Sequence, residues 1–215
     1  MLDKRSLVDQ VYETMRNDIL QLRFPLGSRI NVNELQTKIG VSCTPIREAV
    51  NRLQLEGLIS YKNNFGASVL SLDVHDVEEI QELAMTLHCA AIKLSLKRSD
   101  PEKTAEELEK YRKAFAVAKT AEEQVTSVHL LIGVFYHTCG NRRLDNTMIS
   151  MQGLQLLLRY IYAAEGIHKE DDLRDFDNMI GCVRKGNADG VCESLRKTTD
   201  RMTPGILSYI ARVEK

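Results

Sequence analysis

The stretch Gly40-Val41-Ser42-Cys43-Thr44-Pro45-Ile46-Arg47-Glu48-Ala49-Val50 constrains the fold of this chain more than any other. A glycine turns without steric cost, Ser42 and Thr44 offer hydroxyls to the first free amides of a helix, and Pro45 is tolerated in a first helical turn. The spacing predicts a helix from about Thr44 to Glu56. Ile46, Val50, Leu53 and Leu55 supply its apolar residues, Arg47, Asn51 and Arg52 face outward, and Gly57 stands at its end. Upstream, Asn31-Val32-Asn33-Glu34 places a capping residue three positions before a Glu, so a short helix through Ile39 precedes the turn. Together these segments predict a helix-turn-helix.

The flanks extend that unit. Val8, Val11, Tyr12, Met15 and Ile19 repeat at three and four, predicting an amphipathic helix from Leu7 to Leu22, ended by Pro25 and Gly27. After Gly57, the runs Leu58-Ile59-Ser60-Tyr61 and Ala67-Ser68-Val69-Leu70 flank the polar connection Lys62-Asn63-Asn64-Phe65-Gly66, which reads as a β-hairpin wing. Such a unit inserts its second helix into a major groove. Arg47 is the first candidate for a bidentate guanine contact, and Ser42 and Thr44 suit phosphate or base-edge hydrogen bonds. Arg29, Lys38, Arg52 and Lys62 are candidates for backbone phosphates, and Asn64-Phe65-Gly66 for the minor groove. Asn33 and Cys43 complete the set expected to face DNA.

Charge agrees, though only slightly: residues 1–68 hold nine Lys and Arg against seven Asp and Glu, in a chain of net charge −1. No run approaches the roughly 18 apolar residues of a membrane helix, and Met1-Leu2-Asp3-Lys4-Arg5 lacks a signal-peptide core, so a soluble, cytoplasmic protein is expected. The five cysteines, Cys43, Cys89, Cys139, Cys182 and Cys192, are odd in number and show no Cys-x-x-Cys spacing. They predict reduced, mostly buried thiols, with Cys43 the one placed to act as a redox switch.

Beyond Ser71 the pattern becomes helical throughout. Asp73 caps a long helix carrying Val77, Ile80, Ala84, Leu87, Ala91 and Leu94, and Ser99-Asp100-Pro101 ends it and starts the next. Further helices are expected over Glu102–Ala118, Ala121–Thr138, Arg142–Ala164, Lys169–Lys185 and Ala188–Arg212, with short connections and no strand alternation. The fold class is mainly α. A winged helix-turn-helix over residues 1–72 precedes an all-helical antiparallel bundle over 73–215.

The run from Val11 through Leu26-Gly27-Ser28-Arg29-Ile30 and Thr44-Pro45-Ile46-Arg47-Glu48-Ala49 to Glu56-Gly57-Leu58-Ile59 resembles the winged-helix domain of GntR-family bacterial transcriptional regulators. With a helical second half that includes Gly140-Asn141 and Gly186-Asn187, the chain looks like the FadR-like subfamily. That resemblance implies a homodimer on double-stranded DNA with an inverted-repeat operator, and a small organic effector bound in the bundle. It also implies an arginine where this chain has Cys43, hence an altered operator. Many such bundles hold a metal with one Asp and three His, and the resemblance puts those ligands near Val128, Ile132, Phe176 and Thr198. None of the four can replace a carboxylate or imidazole. An arginine common in the family falls near Ala84 and an acidic position near His88, so the expectation is no metal, no cofactor and an unusually apolar effector pocket. Tyr160 and Tyr162 offer hydroxyls to a bound carboxylate or alcohol, and the apolar pocket favours a ligand with a hydrocarbon portion.

His129 and His137, eight apart on one helix face, are too distant to share a metal without a third element. Met148, Met151, Leu154, Leu157 and Leu158 read as core or dimer surface. No nucleophile stands beside a base, no glycine loop cradles phosphate, and Glu170-Asp171-Asp172 reads as a solvated helix start, so an enzyme is not expected. The alternative is a ligand-independent DNA-binding dimer with a degenerate effector domain.

Overall fold

The computed structural model describes residues 6–62, 66–166 and 168–213. They divide into two compact units with a boundary between Leu72 and Asp73, the stretch Met151–Leu157 being grouped with the first.

In the first unit, α1 spans Leu7–Leu20 and opens on a capping box in which Ser6 and Asp9 satisfy each other's backbone amides. It buries Val11, Tyr12, Met15 and Ile19. It ends two residues before the expected Leu22, because Leu22 turns left-handed at φ +59° and the amides of Arg23 and Phe24 return to the Asp18 carbonyl. Nothing in a leucine announces that conformation. Helix α2, Val32–Ile39, is capped by Asn31, whose side-chain oxygen accepts from the amides of Asn33 and Glu34. Gly40 follows at φ +77°, the left-handed turn its lack of a side chain permits.

Helix α3 spans Cys43–Leu55, starting one residue before the expected Thr44, with Ser42 as its cap. Ile46, Ala49, Val50 and Leu53 are wholly buried. Each large apolar side chain among them contributes about 1.5–3 kcal/mol relative to exposure. Leu55 departs from the expected apolar face and is 88% exposed. Two residues past Leu53 is about 200° around the helix, which carries Leu55 away from the core.

The wing consists of β1, Ile59–Lys62, and β2, Gly66–Val69, antiparallel with Ile59 opposite Val69 and Lys62 opposite Gly66. Both strands are offset by one residue from the expected runs. The Leu58 amide closes α3 by donating to the Leu53 carbonyl at 3.0 Å, and only its carbonyl serves the hairpin, accepting from Leu70 N at 3.0 Å. Residues 28–30 add to the outer edge through Val69 N to Ser28 O and Ile30 N to Ala67 O.

The second unit is built from α4 (Val74–Arg98), α5 (Pro101–Val117), α6 (Ala121–Thr138), α7 (Arg142–Glu165), α8 (Lys169–Arg184) and α9 (Ala188–Val213). Their starts are set by local chemistry: Asp73 and Thr120 form capping boxes, Asp100 precedes Pro101, and Asn141 accepts from Leu144 N. Short connections reverse the chain at each step, giving the antiparallel bundle. α5 packs on α6 and α8, α4 on α6 and α9, and α8 on α9. The core includes Ile92, Leu108, Leu131, Phe135, Phe176, Met179 and Val183. No helix among the described residues is long and apolar enough to cross a membrane.

Candidate DNA-reading surface and effector cavity

On the reader, α3 leaves Arg47 exposed, and among the described residues its guanidinium makes no hydrogen bond or ion pair. Five unspent donors on a rigid planar head suit a bidentate base-edge contact. At the start of the helix, Ser42 caps by backbone geometry alone, its hydroxyl making no bond to a helix amide. That hydroxyl, exposed Thr44 and the first free amides of α3 form an anion-accepting end directed by the helix dipole. The Cys43 Sγ lies 2.9 Å from Gln36 Oε1 and 4.0 Å from Asn33 Oδ1, so Cys43 and Asn33 join one polar patch across the turn.

The remaining expected contacts are not equivalent. Lys38 lies over the Phe24 ring at 5.6 Å and stays exposed, and Arg29 is exposed beside β2. Arg52, expected to meet phosphate, is engaged within the reader: it pairs with Asp9 at 2.7 Å and stacks 4.0 Å over the Tyr12 ring. Lys62 and Gly66 close the two strands opposite each other, with Gly66 at φ +84°. Asn64 and Phe65 lie outside the described residues.

Below this surface, Glu56 fastens α1 to the end of α3 by accepting from Tyr12 Oη and, at 2.9 Å, from Arg16 Nε. Desolvation raises the Glu56 pKa.

In the second unit, five helices line a small cavity that is partly open to solvent. Its apolar wall comprises Phe115 from α5, Val125 and Val128 from α6, Ala163 from α7, Phe176 from α8 and Met202 from α9. Phe115 and Phe176 meet edge to face at 5.2 Å. Of the expected pocket residues, Val128, Phe176 and Thr198 come together here. Ile132 lies one turn farther along α6 and is packed in the core, while Ala84 and His88 lie on α4, which does not line the cavity. His88 is instead buried against Tyr136, its Nδ1 2.9 Å from the phenol oxygen, and desolvation lowers its pKa to about 3. Tyr160 also falls outside the lining. α7 presents Arg159, Tyr162 and Ala163, spaced one turn apart, and Tyr160 is rotated off that stripe.

The polar groups of the cavity come mostly from residues the sequence reading did not select: Gln124, Arg159 and Asp172, beside the expected Tyr162 and Thr198. Asp172 is already committed, accepting from Arg201 at 2.5 Å, while the same guanidinium binds Asp175. Burial raises the Asp172 pKa. Arg159 makes no hydrogen bond or close ion pair among the described residues, and desolvation pulls its pKa down to about 10. Its charged or polar neighbours are Asp172, Tyr136 and His88. The Tyr162 O–H is buried and has no acceptor among the described residues, and burial pushes its pKa up to about 12 although the His168 backbone amide beside the oxygen opposes the rise.

A metal does not fit this site. The four positions that the family resemblance points to hold two aliphatic side chains, a phenylalanine and a threonine. No group of three His, Cys, Asp or Glu able to hold a metal occurs among the described residues.

These two units, a winged reader and a cavity-bearing helical bundle, define a DNA-binding regulator. Residues 7–69 match the model of bacterial regulatory proteins, gntR family. The HTH-type transcriptional regulator YdhC of Bacillus subtilis is 29% identical over 184 residues, which span 83% of this chain and 81% of that protein. A second relative, an HTH-type regulator from the ttuE-ttuC′ intergenic region of Agrobacterium vitis, is 36% identical over 84 residues, 39% of this chain and 49% of that protein. Among solved structures, E. coli McbR/YncC superposes with a TM-score of 0.71 at 18% identity, over 98% of this chain and 100% of its own. Residues 7–69 therefore form a GntR-type DNA-binding domain, and the relatives that the chain resembles are transcriptional regulators, not enzymes.

Proposed function

We propose that this regulator is a FadR-like homodimer whose affinity for an inverted-repeat operator is set by a small organic effector held in the helical unit. The observation that carries the reading is the five-helix cavity, which combines a mostly apolar wall with a few convergent polar groups. The exposed, unpaired Arg47 and the open N-terminus of α3 support base and phosphate contacts by the reader. Arg29, Lys38, Ser42, Thr44 and the wing flank that contact, and dimeric pairing sets half-sites about one helical turn apart. An effector acts by binding the DNA-competent and DNA-incompetent states with different affinity.

The test is binding of the purified chain to DNA from upstream of its own gene, against random DNA, over a salt series and then with a metabolite panel. Specific binding with a steep salt slope, relieved or strengthened by one class of small molecule, is the expected result. Specific binding that no metabolite changes replaces this reading with a ligand-independent dimer. Equal, weak binding to both DNAs removes the operator from it.

A further inference from the structure

We infer that the cavity of the helical unit takes a small monocarboxylate with an apolar body, its carboxylate held by Arg159 and Tyr162 of α7 rather than by a metal. The inference rests on the effector reading above and specifies its ligand.

Two polar groups, the Arg159 guanidinium and the Tyr162 hydroxyl, face one space. Arg159 and Tyr162 are three residues apart on α7, so both project from one helix face into the cavity. The buried Tyr162 O–H has no acceptor among the described residues. The Arg159 guanidinium, partly buried, has no acceptor among the described residues. A folded chain leaves such groups unpaired at a cost, and a planar oxyanion is what a guanidinium fork and a phenol O–H jointly satisfy.

Charge narrows the ligand further. The other guanidinium that the cavity's Asp172 meets, on Arg201, is occupied by Asp172 and Asp175, so among the described residues lining the cavity Arg159 is the cation left to meet a ligand. Asp172 itself lines the cavity. A phosphate dianion facing one free guanidinium and a neighbouring carboxylate is poorly compensated, whereas a single negative charge is matched. Phe115, Val125, Val128, Phe176 and Met202 offer no hydrogen bonds, so the part of the ligand that meets them is hydrocarbon, with Gln124 and Thr198 the cavity's other polar residues. The cavity is small, so only a compact ligand fits it.

The experiment is calorimetric titration of the full chain with benzoate and hexanoate, against their neutral amides, repeated on Arg159→Gln, Arg159→Met and Tyr162→Phe. Saturable binding of at least one carboxylate is expected, with the amides weaker by about tenfold or more. Arg159→Gln should lose about tenfold or more and Tyr162→Phe a few-fold. A purely structural role for Arg159 is separated by the unliganded melting temperature. Arg159→Met should raise it, since it removes an uncompensated cation, while abolishing the carboxylate-induced shift. Amides binding as well as acids, binding indifferent to Arg159, or no carboxylate binding at all would each overturn the inference. The acid-versus-amide comparison on the unmutated chain decides the matter even if a variant fails to fold. Arg159-dependent carboxylate binding that leaves operator affinity unchanged would uphold the inference and remove the effector reading instead.

Discussion

Two arginines on one helix illustrate why residue type alone does not assign a role. Arg47 and Arg52 both face out from α3, but Arg47 has no partner among the described residues while Arg52 is paired with Asp9 and stacked on Tyr12. Arg47→Ala should therefore cost roughly 1–3 kcal/mol of specific DNA binding and leave the melting temperature unmoved. Arg52→Ala should do the reverse, losing about 0.5–1 kcal/mol of stability, since the ion pair is half-exposed and screened. Parallel melts and operator titrations of the two variants check both halves. A buried histidine gives a second prediction at this scale. His88 is held neutral by burial, with Arg159 and His129 opposing its charge and Tyr136 bonded to its ring. Its ordinary pKa is 6.5, but in the fold it falls to about 3, so between those values the unfolded chain binds a proton that the folded chain does not. Stability must fall as pH drops through that interval, at up to about 1.4 kcal/mol per pH unit. His88→Gln should flatten the decline, measured by denaturant melts of both chains between pH 6.5 and 5, the raised carboxyls of Glu56 and Asp172 being common to the two.

At the scale of elements, the boundaries that could be read from the sequence were those set by a side chain at the boundary itself. Asp73, Asp100, Thr120 and Asn141 each bond the first amides of a helix, and the expected starts match or fall within a residue. The end of α1 was hidden because Leu22 adopts φ +59°, a conformation that leucine rarely takes and does not signal. Leu55 was misread because apolar character was counted without its angle around the helix, which leaves it 88% exposed. The turn between α2 and α3 was legible because it rests on glycine. Gly40 sits at φ +77°, and an added Cβ would meet nothing within 4 Å. Gly40→Ala therefore isolates the backbone cost, about 1 kcal/mol, without any clash. Its denaturant midpoint should drop with the slope unchanged.

Over the whole molecule, the cavity was half legible. Val128, Phe176, Thr198 and Tyr162 were expected there, and they meet because residues one turn apart on α6, α7, α8 and α9 converge on one space. Arg159 was missed because Leu156-Leu157-Leu158-Arg159-Tyr160-Ile161-Tyr162 reads as core by composition, and the signal lay in its one charge within an apolar run. The same comparison of donors carries a final prediction about metals. A metal bound only by the folded state stabilises it by about 2.7 kcal/mol at a hundredfold excess over its Kd. In a chain of 215 residues, that raises the melting temperature by about 5–10 °C. Val128, Ile132, Phe176 and Thr198 supply no carboxylate or imidazole, and Asp172, the carboxylate at the cavity, is already bound by Arg201. Dialysis against a chelator followed by zinc, nickel or manganese should thus leave the melting temperature and the carboxylate titration unchanged. A metal-dependent rise of several degrees, lost again on chelation, would mean that the bundle binds metal through groups other than these.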